Sequence, residues 1–205
     1  MSETGLRARK TARTRDQLAQ FAMRAFLERG YDSTTLEDIA EAAEVHKRTL
    51  LRYFPTKTHL VLHGHHSSLA AFRAAVEQRG KTPILDLWEA HVIEGSQGMM
   101  RAGPLANTRK IAASEPAVRQ AFLDIQARYQ RIIAAELAKD LGRDPENDIL
   151  TKVAAAALVG GNYAVGAMIM QSESYAELQT AELEVVRLVR ESLLKGAWKM
   201  SPGGA

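Results

Sequence analysis

The chain of 205 residues has no cysteine, which excludes disulfides, thiol nucleophiles, cysteine-based zinc sites and redox relays. Strand signals are nearly absent: there is no sustained apolar/polar alternation, no Asn-Gly or Asp-Gly hairpin dipeptide and no cluster of β-branched residues. Also missing are paired catalytic carboxylates, a glycine-rich phosphate loop, a nucleophile elbow and an H-E-x-x-H helix, so no enzyme and no cofactor is expected. Gly160-Gly161 lies in an apolar run, without the spacing or the preceding strand of a dinucleotide site. The start, MSETGLRARK, carries basic residues with no apolar run behind them and is not expected to be a secretory signal. What remains, with 46% hydrophobic and 25% charged residues, is the profile of a soluble protein of one or two domains whose stability comes from packing.

The formal charge of +3 is unevenly distributed. Residues 61–205 balance, with 16 basic and 16 acidic side chains. Residues 1–15 carry Arg7, Arg9, Lys10, Arg13 and Arg15 against Glu3, residues 16–44 net to −5, and residues 45–60 carry Lys47, Arg48, Arg52 and Lys57 with no acid. Two basic segments bracketing an acidic one suggest a small module that presents one positive face to a polyanion.

Helical periodicity is found throughout. From Thr14, the residues Leu18, Phe21, Ala22, Ala25 and Phe26 form one apolar stripe and Gly30 supplies the stop. Thr34-Thr35-Leu36-Glu37 reads as a capping box opening a second helix through about Ala42, with Thr34 as the cap. A third short helix runs from near His46 to Pro55. Further breaks near Gly80, Gly103, Ser114, Gly142 and residues 171–174 give six more helices, with Ser114 and Asp144 as expected N-caps. The expected fold is all-α: a three-helix N-terminal unit plus a six-helix C-terminal bundle. The expected division is a flexible basic arm over 1–13, a three-helix domain over 14–55, a second domain over 56–199 and a disordered tail over 200–205.

The block TTLEDIAEAAEVHKRTLLRYFPTK has the helix lengths and apolar spacing of a helix-turn-helix, closed by Leu36, Ile39, Ala40, Val45 and Leu50. At about 100° per residue, Lys47, Arg48, Leu51 and Arg52 share one arc of the third helix and Leu50 points away. That arc is free to enter a groove, where arginine and lysine suit guanine O6 and N7.

The segment FLERGYDSTTLEDIAEAAEVHKRTLLRYFPTKTHL is similar to the DNA-binding signature of TetR-type (tetracycline-repressor-like) transcriptional regulators, over roughly residues 14–62. The resemblance implies a helix-turn-helix DNA-binding domain over 14–55 and a ligand-binding and dimerisation bundle over 56–199, in a cytoplasmic homodimer that binds a palindromic double-stranded DNA operator and releases it when a small-molecule effector enters the C-terminal domain. It places Lys47, Arg48 and Arg52 at base-reading positions and Thr35, Thr49, Tyr53 and Lys57 at phosphate-contacting ones. The chain departs from the family pattern at Glu44, where glycine is usual in the turn. It departs again at Leu51, usually aromatic, which leaves an apolar contact of the kind a thymine methyl accepts. Arg48 and His46 also replace the usual small or capping residues. Arg7, Arg9, Lys10 and Arg13 are expected to follow the phosphate backbone or enter a minor groove. The alternative reading is a DNA-binding or architectural protein that responds to no ligand.

Residues 153–170 are uncharged and reach the lower length limit of a membrane span. Asn162, Tyr163, the glycines and the many alanines indicate a buried core or dimer helix instead, and no membrane partner is expected. Ala157, Gly160, Gly161 and Ala164 make a thin face for close approach of another helix. The last helix carries two adjacent stripes, Leu178, Ala181, Val185, Leu188 and Val186, Val189, Leu193, Ala197, one more than a monomer needs. Phe72, Trp88, His91, Met99, Met100, Phe122, Tyr129, Asn162 and Tyr163 are available to line an effector pocket, and Trp88, His91, Tyr129 and Asn162 are the chosen candidates. His59, His63 and His66, with His65 beside them, have spacing that would let a metal bind one helix face, yet no carboxylate or cysteine accompanies them within a turn, and no metal is assigned.

Overall fold

A computed structural model describes residues 3–102, 108–171 and 175–194. These residues form ten α-helices: α1 Glu3–Arg29, α2 Leu36–Ala42, α3 Lys47–Tyr53, α4 Lys57–Val61, α5 His63–Gln78, α6 Ile84–Ala102, α7 Thr108–Ser114, α8 Pro116–Asp140, α9 Ile149–Gln171 and α10 Tyr175–Leu194. No strand occurs among the described residues, as the missing β signals led us to expect. The expected disordered tail 200–205, the position Ala197 and the side chains of Met99 and Met100 lie outside the described residues.

The chain separates into two compact units, one made of Met1–Ser67 with Pro104–Phe122, the other of Ser68–Gly103 with Leu123–Ala205. This division differs from a boundary at Pro55 because α4 packs on α1, burying Leu60 and Val61. In the first unit, Leu18, Ala22, Met23 and Phe26 of α1 meet a core that includes Ile39, Ala40, Leu50 and Phe54. The expected arm is helical from Glu3 onward and continuous with α1. Residues 6–13 are Leu, Arg, Ala, Arg, Lys, Thr, Ala and Arg, mostly strong helix formers with no proline or glycine to stop the helix.

The nine expected helices become ten at Leu62. This residue, at φ −93° and ψ 9°, departs from helical dihedrals between α4 and α5 while its amide still donates to Thr58 O and its carbonyl accepts from the His66 amide, and Leu60, Val61 and Leu62 are all buried. Three consecutive residues span about 200° of a helix, so one buried face cannot cover them all.

The α2 cap shifts by one residue from expectation. Thr35 accepts from the Asp38 amide and Asp38 receives the Thr35 amide, a reciprocal capping box. Thr34 is fully buried and its hydroxyl donates to the Gly30 and Ala25 carbonyls, closing the end of α1. The other two expected caps also move. Ser114 is the last residue of α7 and donates to Ile111 O, while Pro116 does open α8. Asp144 holds a turn by accepting from the Glu146 amide, and Asp148 instead accepts from the Thr151 amide at the start of α9.

Between α2 and α3 the chain accepts a left-handed residue. Glu44 has φ 53°. Its amide donates to Glu41 O and that of Val45 to Ala40 O, the pair of bonds that ends a helix when the next residue is glycine. A side chain there costs about 1–2 kcal/mol, of which glycine would give back roughly 0.4–1 kcal/mol through its freer unfolded chain. Glu44→Gly is therefore expected to raise the melting temperature by about 1–4 °C, whereas Glu44→Ala should not; calorimetry of the two variants decides this.

In the second unit α10 packs along α9 and against α6. Gly161 is the point of close approach: a Cβ there would lie 2.7 Å from Val185 Cγ1. Both α10 stripes are buried in part, the first at Leu178 and the second at Val186 and Val189, whereas Leu188 of the first is 51% exposed. The span Ile149–Ile169 is long and apolar enough to cross a membrane by length and composition, but it is occupied here in packing on α10 and in holding Asn162 against α6.

Candidate nucleic-acid interface and effector cluster

The arc of α3 forms as the spacing predicts. Leu50 is completely buried, whereas Lys47, Arg48, Leu51 and Arg52 are exposed. His46 precedes the helix and makes no side-chain cap, so the first turn is held by backbone bonds from Thr49 and Leu50 to His46 O. Arg52 and Arg15 lie over the Tyr53 ring at 5.1 and 5.9 Å from its centroid, an attraction that gathers cations beside the arc. Lys47 forms an ion pair with Glu37 in the first turn of α2, a partner the sequence reading did not identify.

The four positions assigned to phosphate contacts are less uniform. Thr35 is exposed at the start of α2, and Thr49 and Tyr53 are partly exposed on α3. Lys57 is turned inward: Nζ donates to Tyr31 O at 2.7 Å and lies 4.4 Å from the Tyr31 ring centroid. Of the arm, Arg7, Arg9, Lys10 and Arg13 are all on α1 and all exposed to solvent. Arg7 and Arg15 border an open cavity of about 470 Å³ with Thr11, Asp16, His63 and Ser67.

The histidines go to separate partners. His63 bonds Asp16 at 2.9 Å, His65 bonds Thr108 at 2.8 Å, and His59 bonds Thr56 at 2.8 Å and stacks on His66. Among the described residues no group of three or more potential ligands is arranged around a metal position.

In the second unit the four effector candidates come together around Phe72. Ring centroids of Phe72, Trp88, His91 and Tyr129 lie 4.9 to 5.5 Å apart. Trp88 Nε1 donates to Asn162 Oδ1 at 3.0 Å, and Asn162 Nδ2 donates to Glu182 O at 2.7 Å. Ser68 Oγ, His91 Nε2 and Tyr129 OH close a triangle of 3.1 to 3.2 Å edges. Burial pushes the His91 imidazole down to about 4 and the Tyr129 phenol up to about 12, so both are neutral near pH 7. Ser68 and the Glu182 carbonyl escaped the sequence reading, because neither a serine nor a main-chain oxygen has a distinguishing pattern.

The three-helix fold and its exposed cationic third helix agree with the comparisons to known proteins. The model for "Bacterial regulatory proteins, tetR family" matches residues 20–63. The HTH-type transcriptional regulator TcmR of Streptomyces glaucescens is 36% identical over 154 residues, covering 68% of this chain and 67% of that one. The HTH-type transcriptional repressor KstR of Rhodococcus jostii (strain RHA1) is 41% identical over 54 residues, 26% of this chain and 24% of its own. Among solved structures, Thermus thermophilus FadR, a TetR family repressor in complex with lauroyl-CoA, superimposes with TM-score 0.61 at 22% identity over 93% of this chain and 99% of that one. The chain belongs to the tetR family of bacterial regulatory proteins. It is a DNA-binding transcriptional regulator.

Proposed function

We propose that the chain is a cytoplasmic repressor that binds a palindromic operator as a homodimer and leaves it when a small, uncharged, lipophilic molecule enters the second unit. The observation that carries the reading is the α3 arc, where three cations and Leu51 stay exposed while Leu50 on the opposite side anchors the helix. Lys47, Arg48 and Arg52 would read base edges, with Leu51 against an apolar edge. Thr35, Thr49, Tyr53 and Lys57 would hold phosphates, and the basic first turns of α1 would add further backbone contacts.

Self-association is supported by apolar side chains left in solvent on α9 and α10: Ile149 at 58%, Val153 at 40%, Met168 at 70% and Leu188 at 51% exposure. A two-fold copy of this surface would bury each patch against its own equivalent. The effector's chemistry follows from the cluster around Phe72. Its rings offer apolar area, its neutral imidazole and hydroxyls offer hydrogen bonds, and none of these groups carries a charge to meet a carboxylate or phosphate. Entry of a ligand would part rings that now touch, so its influence is bounded by its differential affinity for the open and closed packings.

Selection of bound duplex from a random pool tests the reading. A near-palindrome with half-sites about one helical turn apart is expected, and Arg52→Ala should weaken binding to it by roughly 5- to 150-fold, the equivalent of about 1–3 kcal/mol. A pool that never enriches overturns the proposal. An enriched duplex that no lipophilic molecule releases would favour a ligand-independent binder instead.

A further inference from the structure

Lys47 is the first residue of α3 and Glu37 lies in the first turn of α2, so their ion pair crosses the turn at the edge of the groove-facing arc. The two side chains are 47% and 60% exposed, and a pair this open adds little to folding. Its location gives it another consequence. The bond from Lys47 holds the Glu37 carboxyl below the usual carboxylate range, which keeps an anion on a surface that must approach DNA. The neighbouring Asp38 is committed to the α2 capping box, leaving Glu37 to face Lys47.

We propose that Glu37 is a specificity-determining residue: it withholds Lys47 from phosphates and lets it act only where a base edge is presented. The inference rests on the DNA-binding reading above. On an arbitrary duplex, affinity comes from cations that neutralise phosphates and release counterions. A lysine already matched to a carboxylate brings no net charge, and a phosphate that reaches it also meets the like charge of Glu37. A guanine is different because O6 and N7 are neutral acceptors. The ammonium has three hydrogens, so it can donate to guanine while keeping Glu37. The pair therefore survives in the sequence-specific complex and penalises the non-specific one.

The test compares wild type, Glu37→Gln, Lys47→Ala and the double variant by fluorescence anisotropy, against the selected duplex and a scrambled one over a salt series. Glu37→Gln should tighten scrambled binding about tenfold at low salt and steepen its salt slope by about one per subunit. The selected duplex should change by no more than about two- to threefold, so discrimination falls. In the Lys47→Ala background the same substitution should alter discrimination by less than about twofold. An unchanged ratio in Glu37→Gln overturns the inference, as does an equal effect with and without Lys47, which would make Glu37 a general repulsive charge. A wild type that prefers no duplex would instead overturn the DNA-binding reading itself.

Discussion

Lowering the pH from 6.5 towards 4 is expected to cost the second unit roughly 3 kcal/mol through His91 alone. Above pH 6.5 the imidazole is neutral in both folded and unfolded chains and contributes no slope. Below that value the unfolded chain takes up a proton, while the folded one resists until about pH 4 because burial disfavours the charge. The unfolded state thus binds more protons across this window and stability falls with pH. Carboxylates held low by hydrogen bonds, Asp148 among them, begin to titrate towards the acid end and add their own slope. The informative quantity is therefore the difference between wild type and His91→Gln, a variant that retains a hydrogen-bonding end near Ser68 and Tyr129. Denaturant unfolding at pH 6.5, 5.5 and 4.5 should show a shallower loss in the variant; parallel curves would mean that His91 takes up its proton without cost.

Arg79→Ala is expected to destabilise the same unit by about 2–4 kcal/mol, lowering the melting temperature by roughly 4–16 °C. Its guanidinium is only 9% exposed and pairs with Glu136 at 2.9 Å and Asp140 at 2.8 Å on α8. It also donates to Thr82 O at 2.7 Å, and Asp140 accepts the Ile84 amide at 2.7 Å, so one cluster ties the end of α5, the start of α6 and the end of α8. Removing the arginine leaves two carboxylates, 16% and 24% exposed, close together with no cation between them apart from Lys139 on the outer side. Lysine cannot replace a planar fork that meets two acids and a carbonyl, so Arg79→Lys should recover less than half of the loss. A change below about 1 kcal/mol in Arg79→Ala, the range of an exposed pair, would show that the cluster is ornamental.

Much of the reading head was legible in the sequence because helical spacing and burial agree there. Leu18, Ala22, Ala25 and Phe26 lie in the core as their stripe requires, with Phe21 only half-buried at its edge, and Leu50 is hidden beneath the cations of α3. Glycine and proline marked the ends of α1 and the starts of α6 and α8, since their backbone preferences act locally. The errors concern choices that only tertiary packing makes. Thr34 and Thr35 have similar capping ability, and the slip by one residue arose because the pocket behind α1 takes Thr34. The kink at Leu62 has no proline to announce it, and it falls where Leu60, Val61 and Leu62 are all buried. At the ring cluster of the second unit, Trp88 and His91 are three residues apart on one helix, but their meeting with Phe72, Tyr129 and Asn162 depends on how four helices pack. Glu37 was visible as a capping residue; its reach to Lys47 crosses ten positions of chain and a left-handed turn.

The inward orientation of Lys57 has a mechanical corollary. Its ammonium is spent once on Tyr31 O and, at 3.5 Å, weakly on Asp32 O, yet it owns three hydrogens. In the proposed operator complex, a phosphate oxygen arriving at that nitrogen would complete its shell without evicting either carbonyl. The strand of DNA, the corner leaving α1 and the base of α4 would then be riveted through one atom, so that grasping the duplex would stiffen the corner that presents α2.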